Sequence, residues 1–310
     1  MSKKSARNSF CLFMAAAIWG MAFVSQSKGM EYMGPFTFNG VRSLIGSAAI
    51  ALYLFLTRMG KKGKIENKYG WTDIKAGVFC GLALTAASTL QQFGIRYTTV
   101  GKAGFITTLY IIFVPIAGIF FKKKVSAVVW MAAAMAAVGM YLLCMTESLR
   151  LSVGDALVFA CAILFTAHIM IIDHYAPKTD GVLVSCIQFL FCGVVCTGSA
   201  FIWEAPKLSQ LAGGMGTLLY AGVMSCGIAY TLQIVGQKGV NPTIAALILS
   251  LESVVATVTG FLAYKIGFLK TDQSMTIRQI IGCVIVFVAI ILVQLPGEWF
   301  ARKKKTGRNT

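Results

Sequence analysis

The sequence predicts an all-α membrane protein in which ten transmembrane helices form two inverted five-helix repeats. Three observations carry this prediction. The 310-residue chain is 57% hydrophobic and only 13% charged, whereas about a quarter of the residues of a soluble domain are charged. Its apolar runs reach the roughly 20 residues that are needed to cross a bilayer. One stretch of the first half also occurs, in altered form, in the second half.

Ten apolar runs are long enough to be spans, and the connections between them are short. The first run follows three basic residues, as in a signal peptide. It continues past Ala17 to Val24, which is long for a cleaved segment, so we interpret it as a retained helix. The ten runs cover about residues 9–27, 35–57, 73–94, 103–121, 125–145, 153–172, 182–203, 215–236, 243–264 and 277–295.

The repeated stretch covers residues 89–118 and 231–260. At a shift of 142 positions, eight residue pairs are identical: Thr89/Thr231, Leu90/Leu232, Gln91/Gln233, Gly94/Gly236, Ala103/Ala245, Ile106/Ile248, Leu109/Leu251 and Gly118/Gly260. Composition alone would give roughly two matches in thirty positions. The shift predicts two related halves, 9–145 and 153–295, flanked by basic cytoplasmic tails at 1–8 and 296–310. Since five is an odd number, the second half enters the membrane inverted, as in many secondary transporters.

The distribution of charge explains the net charge of +17 without nucleic acid. With the N-terminus in the cytoplasm, 18 of the 28 lysines and arginines lie on that side of the membrane and 8 on the other. This bias predicts a multi-pass protein of the cytoplasmic membrane with both termini in the cytoplasm. Its basic loops would face the anionic inner leaflet, so we expect the lipid bilayer as a partner and no nucleic acid.

Two ionisable residues lie at membrane depth, where a charge is costly and marks a candidate functional site. Glu252 lies near the middle of the ninth run. We interpret it as a proton acceptor or a partner for a substrate amine, and a carboxyl hydrogen-bonded between helices is the structural alternative. Arg42 lies in the second run and fits a substrate carboxylate. Extension towards the membrane surface or pairing with Glu31 would explain it equally.

Polar and aromatic side chains complete the predicted cavity. Tyr110 is the repeat mate of Glu252. Trp19 is a bulky ring among small residues, which fits either a substrate platform or a space filler. Helix packing with interhelical hydrogen bonds is the alternative for the glutamines. Pro115 predicts a break near the middle of the fourth span, with a tolerated kink as the alternative. The whole predicted set is Trp19, Arg42, Gln91, Gln92, Tyr110, Gln188, Tyr230, Gln233 and Glu252.

The sequence lacks the motifs of other functional classes. Its nine cysteines form no CxxC and lie in apolar runs, so we predict neither disulfides nor a zinc site. His168 and His174 do not have metal-ligand spacing, and we predict no metal and no cofactor. Lys102 follows a glycine but the rest of a P-loop is missing, so ATP would not drive the protein directly. No nucleophile–base set is visible, and we predict that the protein is not an enzyme.

The order of local patterns along the chain resembles the drug/metabolite transporter superfamily, in its EamA-type branch. The matching patterns are AAAIWGMAFV at 15–24, FNGVRSLIGSAAIAL at 38–52 and AALILSLESVVATVTGFL at 245–262. They contain Trp19, Arg42 and Glu252, and the likeness covers about residues 9–295. The resemblance implies a central cavity among spans 1–4 and 6–9, peripheral spans 5 and 10, and export of amino acids, other metabolites or drug-like compounds. Gln188 stands opposite Arg42 in the repeat, so the two halves contribute unequal chemistry.

We therefore predict a secondary transporter that exports a small molecule by alternating access. Proton entry would drive export if Glu252 changes its protonation between the two states. Two other classes stay open: a protein that moves lipid headgroups along a groove, and a membrane sensor that binds without transport. The sequence leaves the substrate, the coupling ion and the oligomeric state open, with an oligomer as one option.

Overall fold

The computed structural model describes residues 3–59, 70–122, 125–144 and 152–294. The predicted tail 296–310 and the basic connection 60–69 lie outside these residues. All regular structure within the described ranges is helical. The helices are α1 (Lys3–Gly29), α2 (Pro35–Met59), α3 (Trp71–Ile95), α4 (Val100–Thr108), α5 (Tyr110–Phe120), α6 (Ala127–Cys144), α7 (Val153–Tyr175), α8 (Gly181–Trp203), α9 (Leu208–Gly213), α10 (Met215–Leu219), α11 (Tyr230–Gln237), α12 (Pro242–Leu249), α13 (Leu251–Lys265) and α14 (Ile277–Gln294), with a 3-10 turn at Ala176–Lys178 and a π-helical segment at Tyr220–Ala229.

Eight helical segments of the described chain are long and apolar enough to cross a membrane, and they match eight of the predicted runs. They are Ser5–Gly29, Pro35–Thr57, Trp71–Ile95, Val100–Phe120, Val153–Lys178, Gly181–Trp203, Met215–Gln237 and Pro242–Lys265. The fifth and tenth runs correspond to shorter apolar helices, Ala127–Gly139 and Ile277–Leu292. The prediction of an all-helical, multi-span protein is confirmed, whereas the number of ten spans stays a prediction. α1 begins at Lys3, so it includes most of the predicted N-terminal tail.

Large apolar side chains are exposed on the surface of the bundle. Leu52, Phe55, Val194, Ile202 and Phe287 are each between about two-fifths and three-quarters exposed. Such a surface is not stable in water but is the normal surface of a protein in hydrocarbon. Helices also satisfy their own backbone hydrogen bonds, which a lipid environment requires. The surface therefore agrees with a multi-pass membrane protein.

The most extensive helix contacts join the first half of the chain to the second. α2 packs along α8, α3 along α7, α1 along α13, and α6 along α14. The main buried cluster likewise draws apolar side chains from both halves, among them Leu12, Ile111, Leu247 and Val286. The halves therefore form one bundle with a shared core. α6 and α14 pack mainly on each other, at the edge of that bundle.

Two helices are interrupted at points of the repeat that correspond to within one residue. α4 and α5 meet at Leu109, and α12 and α13 meet at Ser250. The hydroxyl of Thr108 donates to the carbonyl of Phe105 at 2.9 Å, and the hydroxyl of Ser250 donates to the carbonyl of Leu247 at 2.7 Å. Thr108 and Ser250 are repeat mates, and so are Phe105 and Leu247, because the two members of each pair are 142 positions apart. A hydroxyl that binds a carbonyl of the preceding turn competes with the helix and bends it.

The break predicted at Pro115 does not occur, and the alternative of a proline tolerated within the helix applies. Pro115 lies inside α5, and the interruption lies six residues earlier, at Leu109. A proline removes one backbone hydrogen bond, here to the carbonyl of Ile111, and α5 continues past it. The second half is interrupted within one residue of the corresponding point, although it has Thr257 and no proline at the position that corresponds to Pro115. The hydroxyls of Thr108 and Ser250, and not the proline, are therefore what the two interruptions share.

Glu204 connects the two halves at one end of the bundle. Its carboxylate accepts hydrogen bonds from the backbone N–H groups of Phe36 and Thr37, at 2.9 and 2.8 Å, and from the hydroxyl of Thr37 at 2.7 Å. These N–H groups belong to the first turn of α2 and have no partner within the helix. The negative charge also lies at the positive end of the helix dipole. Glu204 therefore fixes the start of α2, the helix that carries Arg42.

We predict that Glu204→Ala lowers the stability of the purified protein by about 1–2 kcal/mol, because three hydrogen bonds to a carboxylate are lost. The measurement is the apparent melting temperature in detergent, which should fall by a few degrees. Glu31→Ala is the matched control, since it removes an exposed i,i+3 ion pair with Lys28 of little value. Equal losses in the two variants would contradict the assignment.

Candidate functional site

A small cavity lies between the two halves of the bundle. Its volume, taken as the space open to the centre of a water molecule, is about 30 Å³. That is enough for one or two waters and far below the roughly 300 Å³ or more of a small-molecule site. The cavity is lined by Trp19, Phe23, Gln26, Arg42, Gln91, Thr107, Tyr110, Phe165, Ile169, Ser225, Tyr230, Gln233, Leu249 and Glu252.

The structure brings seven of the nine predicted site residues to this cavity, and two lie elsewhere. The amide nitrogen of Gln92 donates to the backbone carbonyl of Gln26 at 3.2 Å. The side-chain oxygen of Gln188 is 3.0 Å from Nε2 of His168. Both glutamines are fully buried, and they serve the contacts between helices that the sequence left open as an alternative.

Residues at equivalent positions of the two repeats meet at the cavity. The hydroxyl of Tyr110 donates to Oε1 of Glu252 at 2.9 Å, although the two residues are 142 positions apart. Equivalent positions can touch only near the axis that relates the two repeats, so the cavity lies on that axis. The lining contains three such pairs of mates: Gln91/Gln233, Thr107/Leu249 and Tyr110/Glu252.

One guanidinium and one carboxyl line the cavity without pairing with each other. Arg42 is 6% exposed, and its guanidinium carbon lies 5.5 Å from the centre of the Phe38 ring. Within the described part of the chain Arg42 forms no ion pair. The alternative of an Arg42–Glu31 pair is wrong, because Glu31 pairs with Lys28 at 2.8 Å. The alternative of extension to the surface is also wrong, because Arg42 is buried. Glu252 is 4% exposed and is held by Tyr110.

Trp19 and Tyr230 form an aromatic wall of the cavity. Their ring centres are 4.5 Å apart and their planes are inclined at 58°. Phe189 supports Tyr230 from behind in an edge-on contact at 5.0 Å. Rings arranged in this way offer an apolar surface and a face that attracts cations. Trp19 is thus both a lining residue and part of a packed cluster.

Four lining residues carry a buried polar atom that has no hydrogen-bond partner. They are Trp19 Nε1, Gln26 Oε1, Arg42 Nε and Gln233 Oε1. Protein interiors pair nearly all buried polar groups. Unpaired donors and acceptors around one cavity therefore indicate that water or a polar ligand completes them.

Seven lining residues were missed by the sequence-based prediction, and only some of them left a signal. Gln26 shares a helical face with Trp19, and Thr107 and Leu249 are mates within the repeated stretch. Ser225 lies in the π-helical segment, where the 3.6-residue period that assigns helix faces does not hold. For the apolar residues, the sequence contains no signal that distinguishes a residue in the cavity wall from a residue in the core. The missed residues are Phe23, Gln26, Thr107, Phe165, Ile169, Ser225 and Leu249.

A wider pocket of about 680 Å³ adjoins the cavity at the end of the bundle where α1, α3 and α13 finish. We call this the Glu31 end and the opposite end the Lys238 end. Along α1, Gln26 lines the cavity while Ser27 lines the pocket. The buried side chains of Phe23 and Ile95 belong to the apolar cluster at this level. Only a thin layer of protein therefore separates the cavity from the Glu31 end.

The lining is poorly suited to a metal ion. It offers a single carboxylate and neither an imidazole nor a thiol, and catalytic and structural metal sites use three or four such ligands. The described residues contain no cluster of three metal-ligating side chains.

A multi-span helical bundle with a polar cavity between two related halves is the architecture of a membrane transporter. The sequence comparisons agree with this class. The model of the EamA-like transporter family matches residues 8–145 and again residues 152–295. The chain belongs to the EamA-like transporter family, which confirms the resemblance seen in the sequence.

Relatives with the same organisation occur in distant organisms. An uncharacterized transporter of Archaeoglobus fulgidus is 29% identical over 92% of this chain and 84% of its own length. The Bacillus subtilis transporter YwfM is 26% identical over 96% of this chain and 97% of its own. A crystal structure superposes with a TM-score of 0.72 at 16% identity, over 93% of this chain and 96% of the other, and that likeness shows the fold alone.

The repeat mates Gln91 and Gln233 provide a matched test of the site. Gln91 Nε2 donates to Thr107 at 3.1 Å, whereas Gln233 Oε1 has no partner. Gln91→Leu should therefore lower stability by about 1 kcal/mol, because it breaks a buried hydrogen bond. Gln233→Leu should leave stability unchanged or raise it, because it removes an unpaired buried atom. The measurement is thermal unfolding in detergent, and a larger loss in Gln233→Leu would refute this description of the cavity.

Proposed function

We propose that the protein is a secondary transporter that exports small molecules through the central cavity by alternating access. The observation that supports this most is the cavity itself. It lies on the axis between the two repeats, and it holds Arg42 and Glu252 buried and unpaired with each other. A buried charge without a partner is expensive. Such a site makes sense if a ligand supplies the partners, and its lining offers no nucleophile–base set for catalysis.

The lining favours a substrate that carries both a carboxylate and an amine. A carboxylate matches the fork of the Arg42 guanidinium and would also occupy its unpaired Nε. The carboxylate of Glu252 is suited to an ammonium group. The wall of Trp19 and Tyr230 provides space for an apolar or aromatic substituent. Within the range of metabolites that the family resemblance implies, this favours amino acids and related compounds.

The proposed topology has ten spans and both termini in the cytoplasm. α6 and α14 contain 18 residues each, which gives about 27 Å of helix at 1.5 Å per residue, close to the roughly 30 Å hydrocarbon core. Adding them to the eight longer segments gives five spans in each half. The two halves then have opposite orientations, and the excess of basic residues places the Lys238 end in the cytoplasm of a cell membrane.

The small cavity fits a state that is closed at both ends. Opening would occur by rocking of the two halves about the cavity, as in other transporters built from inverted repeats. The interruptions at Leu109 and Ser250 are next to Tyr110 and close to Glu252 along the chain. Movement at these two points would change the distance between Tyr110 and Glu252. A proton exchanged at Glu252 would then couple export to proton entry.

The test compares intact cells that produce wild-type protein, Arg42→Gln, Glu252→Gln or the surface control Glu31→Gln at equal membrane levels. Metabolites in cells and medium are quantified by mass spectrometry. Wild type and Glu31→Gln should move particular compounds with both a carboxylate and an amine into the medium. Arg42→Gln should reduce their release about tenfold or more, the value of a lost charged hydrogen bond. Glu252→Gln should remove the dependence of release on external pH.

Release that is unchanged in both cavity variants would reject the cavity as the path. Release with an unaltered pH dependence in Glu252→Gln would reject proton coupling alone. If wild type releases nothing despite its presence in the membrane, flipping of labelled lipids in liposomes tests the lipid-translocating class, and saturable binding without flux tests the sensor class.

A further inference from the structure

The two repeats place different residues at two equivalent positions beside the cavity. The segment 15–24 corresponds to 160–169 and sets Phe23 opposite His168, while 40–44 corresponds to 186–190 and sets Arg42 opposite Gln188. Phe23 and Arg42 line the cavity. Their mates do not, and they contact each other instead, with Nε2 of His168 3.0 Å from the side-chain oxygen of Gln188.

This polar pair is not explained by packing. His168 and Gln188 are both fully buried, and each keeps a polar atom without a partner, Nδ1 of His168 and Nε2 of Gln188. Two apolar side chains would fill the same space without leaving donors and acceptors unpaired. Tyr230 lies between the pair and the cavity, since its ring centre is 5.9 Å from that of His168 and it also lines the cavity. Phe165, whose ring centre is 6.4 Å from that of His168, is a second residue that touches both.

Each end of the bundle is closed by the same type of contact, made by opposite halves. At the Glu31 end the start of α7 packs on Gly94, where a Cβ would lie 2.8 Å from the carbonyl oxygen of Gly154. At the Lys238 end the start of α1 packs on Gly236, where a Cβ would lie 3.0 Å from the carbonyl oxygen of Asn8. Gly94 and Gly236 are repeat mates. The two closures are therefore built on equivalent glycines, with the tighter contact at Gly94.

Each closure also carries a polar contact between the halves. Lys102 pairs with Asp155 at 2.6 Å at the Glu31 end. At the Lys238 end the amide of Asn8 donates to the backbone carbonyl of Lys238 at 2.8 Å. The amide of Gln237 in addition donates to the backbone carbonyl of Ile169 at 3.2 Å, which holds α11 over the segment of α7 that carries His168. Opening the Lys238 end would have to break the contact between Asn8 and Lys238, while the bond between Gln237 and Ile169 lies within the second half.

We propose that His168 and Gln188 form the substrate-contacting layer of the state that is open at the Lys238 end. They take the place that Phe23 and Arg42 have in the state that is open at the Glu31 end. This rests on the proposed alternating access. When α1 and α11 separate at Gly236, Tyr230 moves aside, and the free donor Nε2 of Gln188 and the free acceptor Nδ1 of His168 face the path. Gln188 then holds the carboxylate of the substrate by a neutral hydrogen bond and His168 accepts one from its amine, whereas Arg42 holds the carboxylate by charge.

The experiment uses the same substitution at the two repeat mates. Gly236→Ala places a methyl group in the closure at the Lys238 end, and Gly94→Ala does so at the Glu31 end, so each biases the full-length protein towards opening one end. The chain has two histidines. His174 is exposed and serves as an internal standard for diethyl pyrocarbonate, with the modified peptides quantified by mass spectrometry.

We expect the carbethoxylation of His168, measured relative to that of His174, to be about fivefold or more higher in Gly236→Ala than in wild type. A free-energy difference of about 1 kcal/mol between two states changes their ratio by this factor. Gly94→Ala should leave it at the wild-type level. In parallel, a maleimide reports on Phe23→Cys, and peptide mapping separates this site from the native cysteines. Its labelling should rise in Gly94→Ala and not in Gly236→Ala.

The possible outcomes distinguish a failure of the role proposed for His168 and Gln188 from a failure of alternating access. If Phe23→Cys responds to Gly94→Ala but His168 stays unreactive in Gly236→Ala, alternating access stands and the role of His168 and Gln188 is overturned. If His168 reacts equally in both glycine variants, general loosening explains the result and the inference is again overturned. If neither position responds to either variant, alternating access fails together with the inference.

Discussion

The absence of water inside a bilayer is the constraint on which this structure depends. Every buried polar group has to find its partner within the protein, and most do. Glu204 satisfies the start of α2 from the other half of the chain, and Asp155 satisfies Ser152, Thr98 and Lys102. Some atoms of the described residues stay unpaired, both at the cavity, as in Trp19 and Arg42, and elsewhere, as in Asn39 and Thr197. The cavity differs because Arg42 and Glu252 lie there without pairing with each other.

The second constraint is the repeat, which gives two halves the same backbone and different chemistry. Thr108 and Ser250 make the same hydrogen bond to the preceding turn at the points where their helices are interrupted. Tyr110 and Glu252, at equivalent positions near these interruptions, have become donor and acceptor of one hydrogen bond. Symmetry of the backbone thus provides two similar conformations, while the unequal side chains allow each conformation to treat the substrate differently. This combination is what an exporter requires, because binding and release must differ at the two faces of the membrane.

The sequence was sufficient to predict the class of fold. The lengths of the apolar runs and the distribution of basic residues are properties of the whole chain, so an error of a few residues in one span does not change the prediction. It was less informative about which polar residue faces the cavity. Gln91 and Gln92 are adjacent and point about 100° apart around one helix. The first lines the cavity and the second bonds to α1. That choice depends on the rotation of α3 against its neighbours, which periodicity does not determine.

Local chemistry limited the prediction at two further points. Pro115 was the obvious helix breaker, yet the hydroxyl of Thr108 lies at the interruption that both halves share. A threonine inside an apolar run does not by itself predict an interruption, because threonine often packs within a helix without bending it. Ser225 reaches the cavity from a π-helical segment. The position of a π-helical segment cannot be predicted from local sequence, because its extra residue per turn has to fit between the surrounding helices.

If substrate passes through the cavity between the halves, filling that cavity blocks transport. Ser225 is buried in the cavity wall, and Ser225→Leu puts an isobutyl group into a space that holds one or two water molecules. Gly198→Leu is the matched control, because a Cβ at Gly198 meets nothing within 4 Å. The measurement is release of metabolites into the medium by cells with equal amounts of each protein in the membrane. Passage through the cavity predicts release by wild type and Gly198→Leu and none by Ser225→Leu. Equal release by all three proteins would contradict it.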